Sequence, residues 1–338
     1  MLENRNLNPF KITYLKDLTK DSYAQFWLDN TFTVFKSVDN LLLLIYSTKN
    51  LSIISYNIIE NKKLNEIKKA HDDYIVNFRH FLENNKRDLV LSISSDNNNL
   101  KLWDANNLEC LLNLENVNKN GFLYSAILFK DNNECTNYQY IVTCHDASNN
   151  VNEPIKLFDI KGNKVKEIYD SKYRTFFLES YYDIQTDKYY IITGNNGHLR
   201  SYDYNSNILY HKYDEKDNKY HDSLLIYNNE KLVKLIDSSC SGEIRIWDFH
   251  SSILLKKIKV SESWLKGISL LNNKYLFIAC KDKLIKLLDL KTGNVIQNII
   301  GHNNYVITIK IIFHPLYGQC LISQGVYDEQ IKLWRIQH

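Results

Sequence analysis

One short pattern recurs along this chain at nearly even intervals and limits its fold more than any other feature. IKLWR occupies 331–335, LIKLLD 284–289 and IRIWD 244–248. LRSYD at 199–203, IKLFD at 155–159 and LKLWD at 100–104 repeat it further back, with a weaker copy, LSIISY, at 51–56. The copies end on Ser55, Trp103, Phe158, Tyr202, Trp247, Leu288 and Trp334, so successive intervals are 48, 55, 44, 45, 41 and 46 residues. Apolar and polar residues alternate in most copies, as in a half-buried strand. Units of this length have room for four short strands each. Paired asparagines at Asn84-Asn85, Asn132-Asn133, Asn228-Asn229 and Asn272-Asn273 lie 19, 26, 19 and 16 residues before the end of their unit. Asn tolerates positive φ, so these pairs suit tight hairpin turns in a chain with only 10 Gly and 3 Pro. The outlying value belongs to the third unit, which carries an insertion from Ala147 to Pro154.

The pattern resembles the WD-repeat family, over nearly the whole chain. Three units end on Trp, and two keep the pair itself, Trp103-Asp104 and Trp247-Asp248. Gly301-His302 precedes the last unit and Ala70-His71 the second; Asp282 and Asp328 stand six residues before Leu288 and Trp334, and Asp96 seven before Trp103. The resemblance implies an all-β fold, a seven-bladed β-propeller of four-stranded antiparallel blades, as one domain over 1–338. The chain ends four residues after Trp334, on the third strand of the seventh unit. An N-terminal strand at about 9–15 is therefore expected to complete that blade and remove an open sheet edge. The family's hydrogen-bonded tetrad maps onto His71, Ser92, Asp96 and Trp103 in the second blade, and onto His302, Asp328 and Trp334 in the seventh. The serine of the seventh blade stays open, because Ser323 falls one residue from the expected register. Asn196 and Ser241 hold the Asp position of the fourth and fifth blades.

A Ser, a His and an Asp invite a hydrolase reading, which needs an exposed nucleophile beside a base and an oxyanion hole. Within a repeat, the same residues need only satisfy one another. A non-catalytic chain is the expectation. No phosphate-binding Gly-rich loop, H-E-x-x-H pair or EF-hand loop occurs, so no cofactor and no metal are expected. Cys110, Cys135, Cys144, Cys240, Cys280 and Cys320 form no C-x-x-C pair and read as small buried hydrophobes of a reducing compartment. The N-terminus lacks a signal-peptide core, and the apolar run Leu41–Tyr46 is too short to span a bilayer, so cytoplasm or nucleus is the expected location. Net charge is +3 and the lysine pairs Lys62-Lys63, Lys68-Lys69 and Lys256-Lys257 read as solvated outer strands, so neither nucleic acid nor membrane is expected as a partner.

Aligning the units brings out a second feature. The strand after each inter-blade loop opens with an aromatic residue: Tyr74, Phe122, Tyr173, Tyr220, Trp264 and Tyr305, with Tyr23 as a seventh of uncertain register. In the family this point lies on the narrower face near the channel mouth. The implied function is a scaffold or adaptor that binds a peptide or protein loop there, within a multiprotein complex, with His145, Asn195, Lys281 and Tyr327 as a polar rim. Packing between blades is the competing reading of the same aromatics, and the sequence leaves both open. One alternative function is a ubiquitin-ligase substrate receptor, but neither Trp-Asp pair continues to Trp-Asp-x-Arg. Another is a phosphoinositide-binding propeller, whose Phe-Arg-Arg-Gly signature does not occur.

Overall fold

A computed structural model describes residues 9–25, 30–94, 98–117, 122–130, 139–145, 154–168, 175–195, 198–213, 221–227 and 232–337. These form seven four-stranded antiparallel sheets. Blade 1 holds β2 (Phe32–Lys36), β3 (Leu42–Ser47), β4 (Ile53–Asn57) and β5 (Lys62–Ile67); blade 2 holds β6 (Ile75–Glu83), β7 (Arg87–Ser94), β8 (Asn99–Asp104) and β9 (Cys110–Leu114). Blade 3 holds β10 (Leu123–Lys130), β11 (Gln139–His145), β12 (Ile155–Asp159) and β13 (Lys164–Ile168); blade 4 holds β14 (Thr175–Asp183), β15 (Lys188–Asn195), β16 (His198–Asp203) and β17 (Ile208–Tyr213). Blade 5 holds β18 (His221–Tyr227), β19 (Val233–Ser239), β20 (Glu243–Asp248) and β21 (Leu254–Lys259); blade 6 holds β22 (Leu265–Leu271), β23 (Tyr275–Cys280), β24 (Ile285–Asp289) and β25 (Val295–Ile299). Blade 7 joins β26 (Val306–His314), β27 (Gly318–Gly325) and β28 (Ile331–Gln337) to β1 (Lys11–Asp17). Neighbouring inner strands touch all the way round, and β26 meets β2 to close the ring.

Each blade is buried on both faces, and the strand alternation decides which neighbour each residue meets. In β3, Leu43 and Ile45 pack toward blade 2, while Leu42, Leu44 and Tyr46 pack toward blade 7. The run LLLLIY is therefore two interleaved apolar faces of one strand, as expected for a strand with no solvent side. The core is correspondingly divided into seven slabs, one in each seam. From the second unit on, the residue that ends each repeat fills the seam toward the preceding blade: Trp103 beside Leu43 and Ile45, Phe158 beside Leu89 and Leu91, and Trp247 beside Tyr190 and Ile192; in blade 1 this place falls to Tyr56, one residue after Ser55. The residue that follows it turns the chain. The side chains of Asp104, Asp159, Asp203, Asp248 and Asp289, and of Asn57 in blade 1, accept backbone N–H bonds from two to four residues on, at 2.7–3.3 Å. This is the Asx-turn geometry, and it accounts for the recurrent Asp without any catalytic role. Asn84, Asn85, Asn272 and Asn273 take φ of 49°, 55°, 51° and 55°, the left-handed values that a two-residue hairpin needs.

The expected closing strand lies two residues later than 9–15. β1 pairs antiparallel with β28, from Lys11 opposite Gln337 to Asp17 opposite Lys332, with a bulge between Tyr14 and Lys16. Leu18 N–H bonds Ile331 O at 2.7 Å, and the Lys332 ammonium lies 3.2 Å from Asp17. Phe10 enters the blade 6–7 slab and meets Tyr275 edge-on at 4.7 Å. One further contact skips a blade: Arg79 on β6 reaches past β10 to Glu179 on β14 (2.9 Å) and to the Leu178 carbonyl (3.3 Å). Cys144, Cys280 and Cys320 are buried, but Cys110 is exposed, contrary to the expectation for all six; it lies on an outer strand, where only one face is covered. Cys135 and most of the Ala147–Pro154 insertion lie outside the described residues.

Gly301 shows how tightly the seams are filled. A Cβ there would lie 2.3 Å from Cη2 of Trp334, whose ring is buried in the blade 6–7 slab. Gly301→Ala must displace that ring, and overpacking of this kind costs about 1–3 kcal/mol. Urea denaturation of the variant should show a lower midpoint with an unchanged slope.

Candidate functional site

The polar residues that suggested chemistry face one another inside the blades. In blade 2, Trp103 Nε1–H donates to Ser92 Oγ at 2.7 Å, and the Ser92 hydroxyl meets His71 Nε2 at 2.7 Å. All three are buried, with the serine fully inaccessible. In blade 7, Trp334 Nε1–H donates to Ser323 Oγ (2.8 Å), Ser323 meets His302 Nε2 (2.7 Å), and His302 Nδ1 meets Asp328 Oδ2 (2.7 Å). Ser323 thus takes the position that register left open. Gly325 makes room for this chain, since a Cβ there would lie 2.3 Å from the Asp328 carboxylate. A serine that accepts from an indole and is sealed from solvent has no substrate to attack. Asp96 lies outside the described residues, and among those described His71 Nδ1 has no partner. Burial, aided by the charge of Lys101, pushes the His71 pKa down to about 3.

Blade 5 satisfies its tryptophan in another way, which the sequence reading missed. Asp237 on β19 accepts from Trp247 Nε1 through one oxygen (2.6 Å) and from Arg245 Nε and Nη2 through the other (3.0 and 2.7 Å). Asp237 and Arg245 are both buried. The signal was present: Arg245 and Trp247 share one face of β20, and Asp237 stands opposite Arg245 as Ser92 and Ser323 stand opposite Lys101 and Lys332, only one residue nearer its tryptophan in sequence. Among the described residues no cluster of three or more His, Cys, Asp or Glu could hold a metal ion.

The aromatic residues stand at one end of the ring, because each immediately precedes an inner strand: Tyr74 before β6, Phe122 before β10, Trp264 before β22 and Tyr305 before β26. Lys281 and Tyr327 follow β23 and β27 at that same end, and His145 and Asn195 are the last residues of β11 and β15. Tyr173 and Tyr220 lie outside the described residues. The structure gathers the described ones into groups. Lys281 Nζ lies over Trp264 at 4.7 Å and over Tyr305 at 5.2 Å, tying blade 6 to blade 7. Phe122 is 40% exposed and lies 6.2 Å from Tyr124, which lies 5.3 Å from Phe176 of blade 4. Tyr305 partly packs on Ala24, Ile307 and Val326, so its ring serves the seam as well as the surface.

Tyr23 does not open the first blade. Thr31 immediately precedes β2, bonding Thr308 and Gln324 of blade 7. Tyr23 belongs to the connection after β1, and stacks on Tyr74 at 4.8 Å with Tyr327 at 6.0 Å. Beside Tyr23 and Tyr327 opens a cavity of about 550 Å³ at the blade 7–1 seam, lined in part by Lys20, Ser22, Lys49 and Glu329. Among the described residues the buried Ser22 hydroxyl there has no hydrogen-bond partner. Tyr46 donates to Asp21 at 3.0 Å on its wall, and burial together with that carboxylate drives the phenol's pKa far above its ordinary value.

Parts of the chain are similar to known proteins. A Lissencephaly-1 homolog of Heterostelium pallidum is 49% identical over 51 residues, 15% of this chain and 12% of that protein. The U3 small nucleolar RNA-associated protein 21 homolog of Schizosaccharomyces pombe is 24% identical over 100 residues, 30% of this chain and 11% of its own length. Nuclear distribution protein nudF of Emericella nidulans is 26% identical over 119 residues, 30% of this chain and 27% of its own length. These are WD-repeat proteins, and seven blades with Trp–Ser–His chains in two of them agree with that relationship. The chain is a seven-bladed β-propeller whose repeats resemble theirs. No family model matches it. The matched stretches span about a tenth to a quarter of the relatives' lengths, so the likeness is one of repeats.

Within this WD-repeat framework, His71 makes stability depend on pH. Its folded pKa lies below the ordinary 6.5, so the stability it brings is complete above 6.5. As pH falls, the unfolded chain takes up the proton while the native state does not until about 3. The resulting loss between pH 7 and pH 5 is about 2 kcal/mol. Urea denaturation at the two pH values should show this difference, and His71→Gln should flatten it.

Proposed function

We propose that this propeller is a non-catalytic scaffold that grips a peptide or protein loop across its aromatic end. What carries the reading is the gathering of partly exposed tyrosine and tryptophan at one end of the ring, where Tyr23 and Tyr327 also line a cavity. Tyr23, Tyr74 and Tyr327 stand at one seam, and Trp264, Lys281 and Tyr305 at the next. Such side chains bury large apolar areas while keeping a polar tip for water or a partner, and they dominate binding energetics. Two further facts support a non-catalytic role. The serines and histidines of blades 2 and 7 are consumed by internal bonds, and the buried Asp of blade 5 is held by Arg245 and Trp247. The relatives' names point to different settings, one to nuclear distribution and one to a small nucleolar RNA. The shared repeat therefore does not fix the partner, and a cytoplasmic or nuclear site of action is part of the proposal.

Tyr74, Trp264 and Tyr305 changed together to Ala test this reading. Affinity purification beside the unaltered protein, after circular dichroism shows both folded, should recover a partner only with the unaltered protein. For any partner so identified, each ring at a hot spot is worth about 2 kcal/mol, or about 30-fold in Kd. A partner held equally by both proteins assigns binding elsewhere and leaves the rings as packing.

A further inference from the structure

The outer strands differ in a way the aromatic end does not explain. Each blade presents an outer strand with one row of backbone N–H and C=O groups unpaired, and proteins commonly guard such edges with charge, lysine above all. Five of the seven follow this rule. Lys11 and Lys16 stand on β1, Lys62 and Lys63 on β5, Lys164 and Lys166 on β13, Lys212 on β17, and Lys256, Lys257 and Lys259 on β21. The outer strands β9 (CLLNL) and β25 (VIQNI) carry no charge at all.

These two are not equivalent. β9 is flanked by Glu109 and Glu115. A second copy of β9 laid antiparallel about a two-fold axis at Leu112 would set Glu109 directly opposite the other copy's Glu115. Like charges in directly opposed positions are destabilising. β25 lies within residues 292–309, which contain no Lys, Arg, Asp or Glu. About a two-fold axis at Gln297, Val295 meets Ile299 and Asn294 meets Ile300, while Ile296 bulges out of the pairing with β24 between Val295 and Gln297. Ile300 is 78% exposed at the end of the strand and would gain an opposed neighbour. No Lys, Arg, Asp or Glu residue stands opposite another between Thr292 and His302 in that register.

We propose that β25 is a self-pairing edge, and that two copies of this chain join β25 to β25 antiparallel, fusing the two blade 6 sheets into one eight-stranded sheet. Isologous two-fold contacts of this kind need only one self-complementary patch and are the commonest route to a dimer. The interface lies on the outer rim and uses none of the aromatic residues named above, so it does not depend on the binding role proposed there.

The test is sedimentation velocity across a concentration series with the full chain, alongside Asn298→Lys and the pair Gln297→Lys/Asn298→Lys. Asn298 is exposed, so its replacement leaves the core intact, and thermal melting checks this. The expected result is a reversible dimer that both variants return to monomer without a lower Tm. A second arm uses Gln297→Cys with the exposed Cys110 changed to Ser. Mild oxidation should yield a disulfide-linked dimer, whereas Asn113→Cys on β9 in the same background should yield none. A chain that stays monomeric at every attainable concentration overturns the proposal. So does a dimer that survives the lysine variants and is not trapped through position 297.

Discussion

No blade of this protein has a side that water can face, and the rest of the structure follows from that. The second and third strands of each sheet send alternate side chains into two different seams, so a blade standing alone would expose both apolar faces. Stacking neighbours is the way to cover them, and each added blade presents the same need on its far side. The need ends only when the seventh blade meets the first. Pairing β1 with β28 completes the seventh blade from the opposite end of the chain and ties the first blade to the last. Leu18, just beyond β1, then enters the blade 7–1 slab, so the closing segment also fills the seam it closes.

Polar groups inside such seams must be satisfied, and the blades reach that end by different routes. Blades 2 and 7 use serine and histidine beneath tryptophan; blade 5 uses a buried carboxylate clamped by arginine. Elsewhere the repeat-ending position is filled by Phe158 or Leu288, which place no polar atom in the seam, or by Tyr202. A lost Trp-Asp pair is therefore tolerable wherever the replacement fills the same volume. This explains how most units have drifted from the repeat while keeping its period.

The blade count, the strand alternation and the asparagine hairpins of blades 2 and 6 were legible because each rests on a local rule; Asn132-Asn133 and Asn228-Asn229 lie outside the described residues. Asn84-Asn85 and Asn272-Asn273 adopt the turn their chemistry favours, and the Asp after each repeat end caps its own loop. What was not legible depended on chain segments meeting at a distance. Tyr23 joins Tyr74 because the connection after β1 crosses the blade 7–1 seam, which spacing within a unit does not reveal. β1 begins at Lys11, opposite Gln337, because Phe10 before it turns into the blade 6–7 slab. Cys110 sits in an apolar pentapeptide that reads as core, yet an outer strand has only one covered face. Asp237 hid because the hairpin after it is one residue shorter than in blades 2 and 7, so it takes the serine position at a different distance from its tryptophan.

The Arg79–Glu179 contact gives the ring a property that nearest-neighbour packing does not. It is a chord joining blades 2 and 4 past the inner strand of blade 3. If either seam flanking blade 3 loosens, the two sides stay tethered and blade 3 has a frame to return to. At the blade 7–1 seam the chain's own two ends hold the circle shut, and Tyr23 stands between Tyr327 of blade 7 and Tyr74 of blade 2. Mechanically, the molecule is a clasped bracelet, with one link braced by charge and its clasp padded by stacked rings.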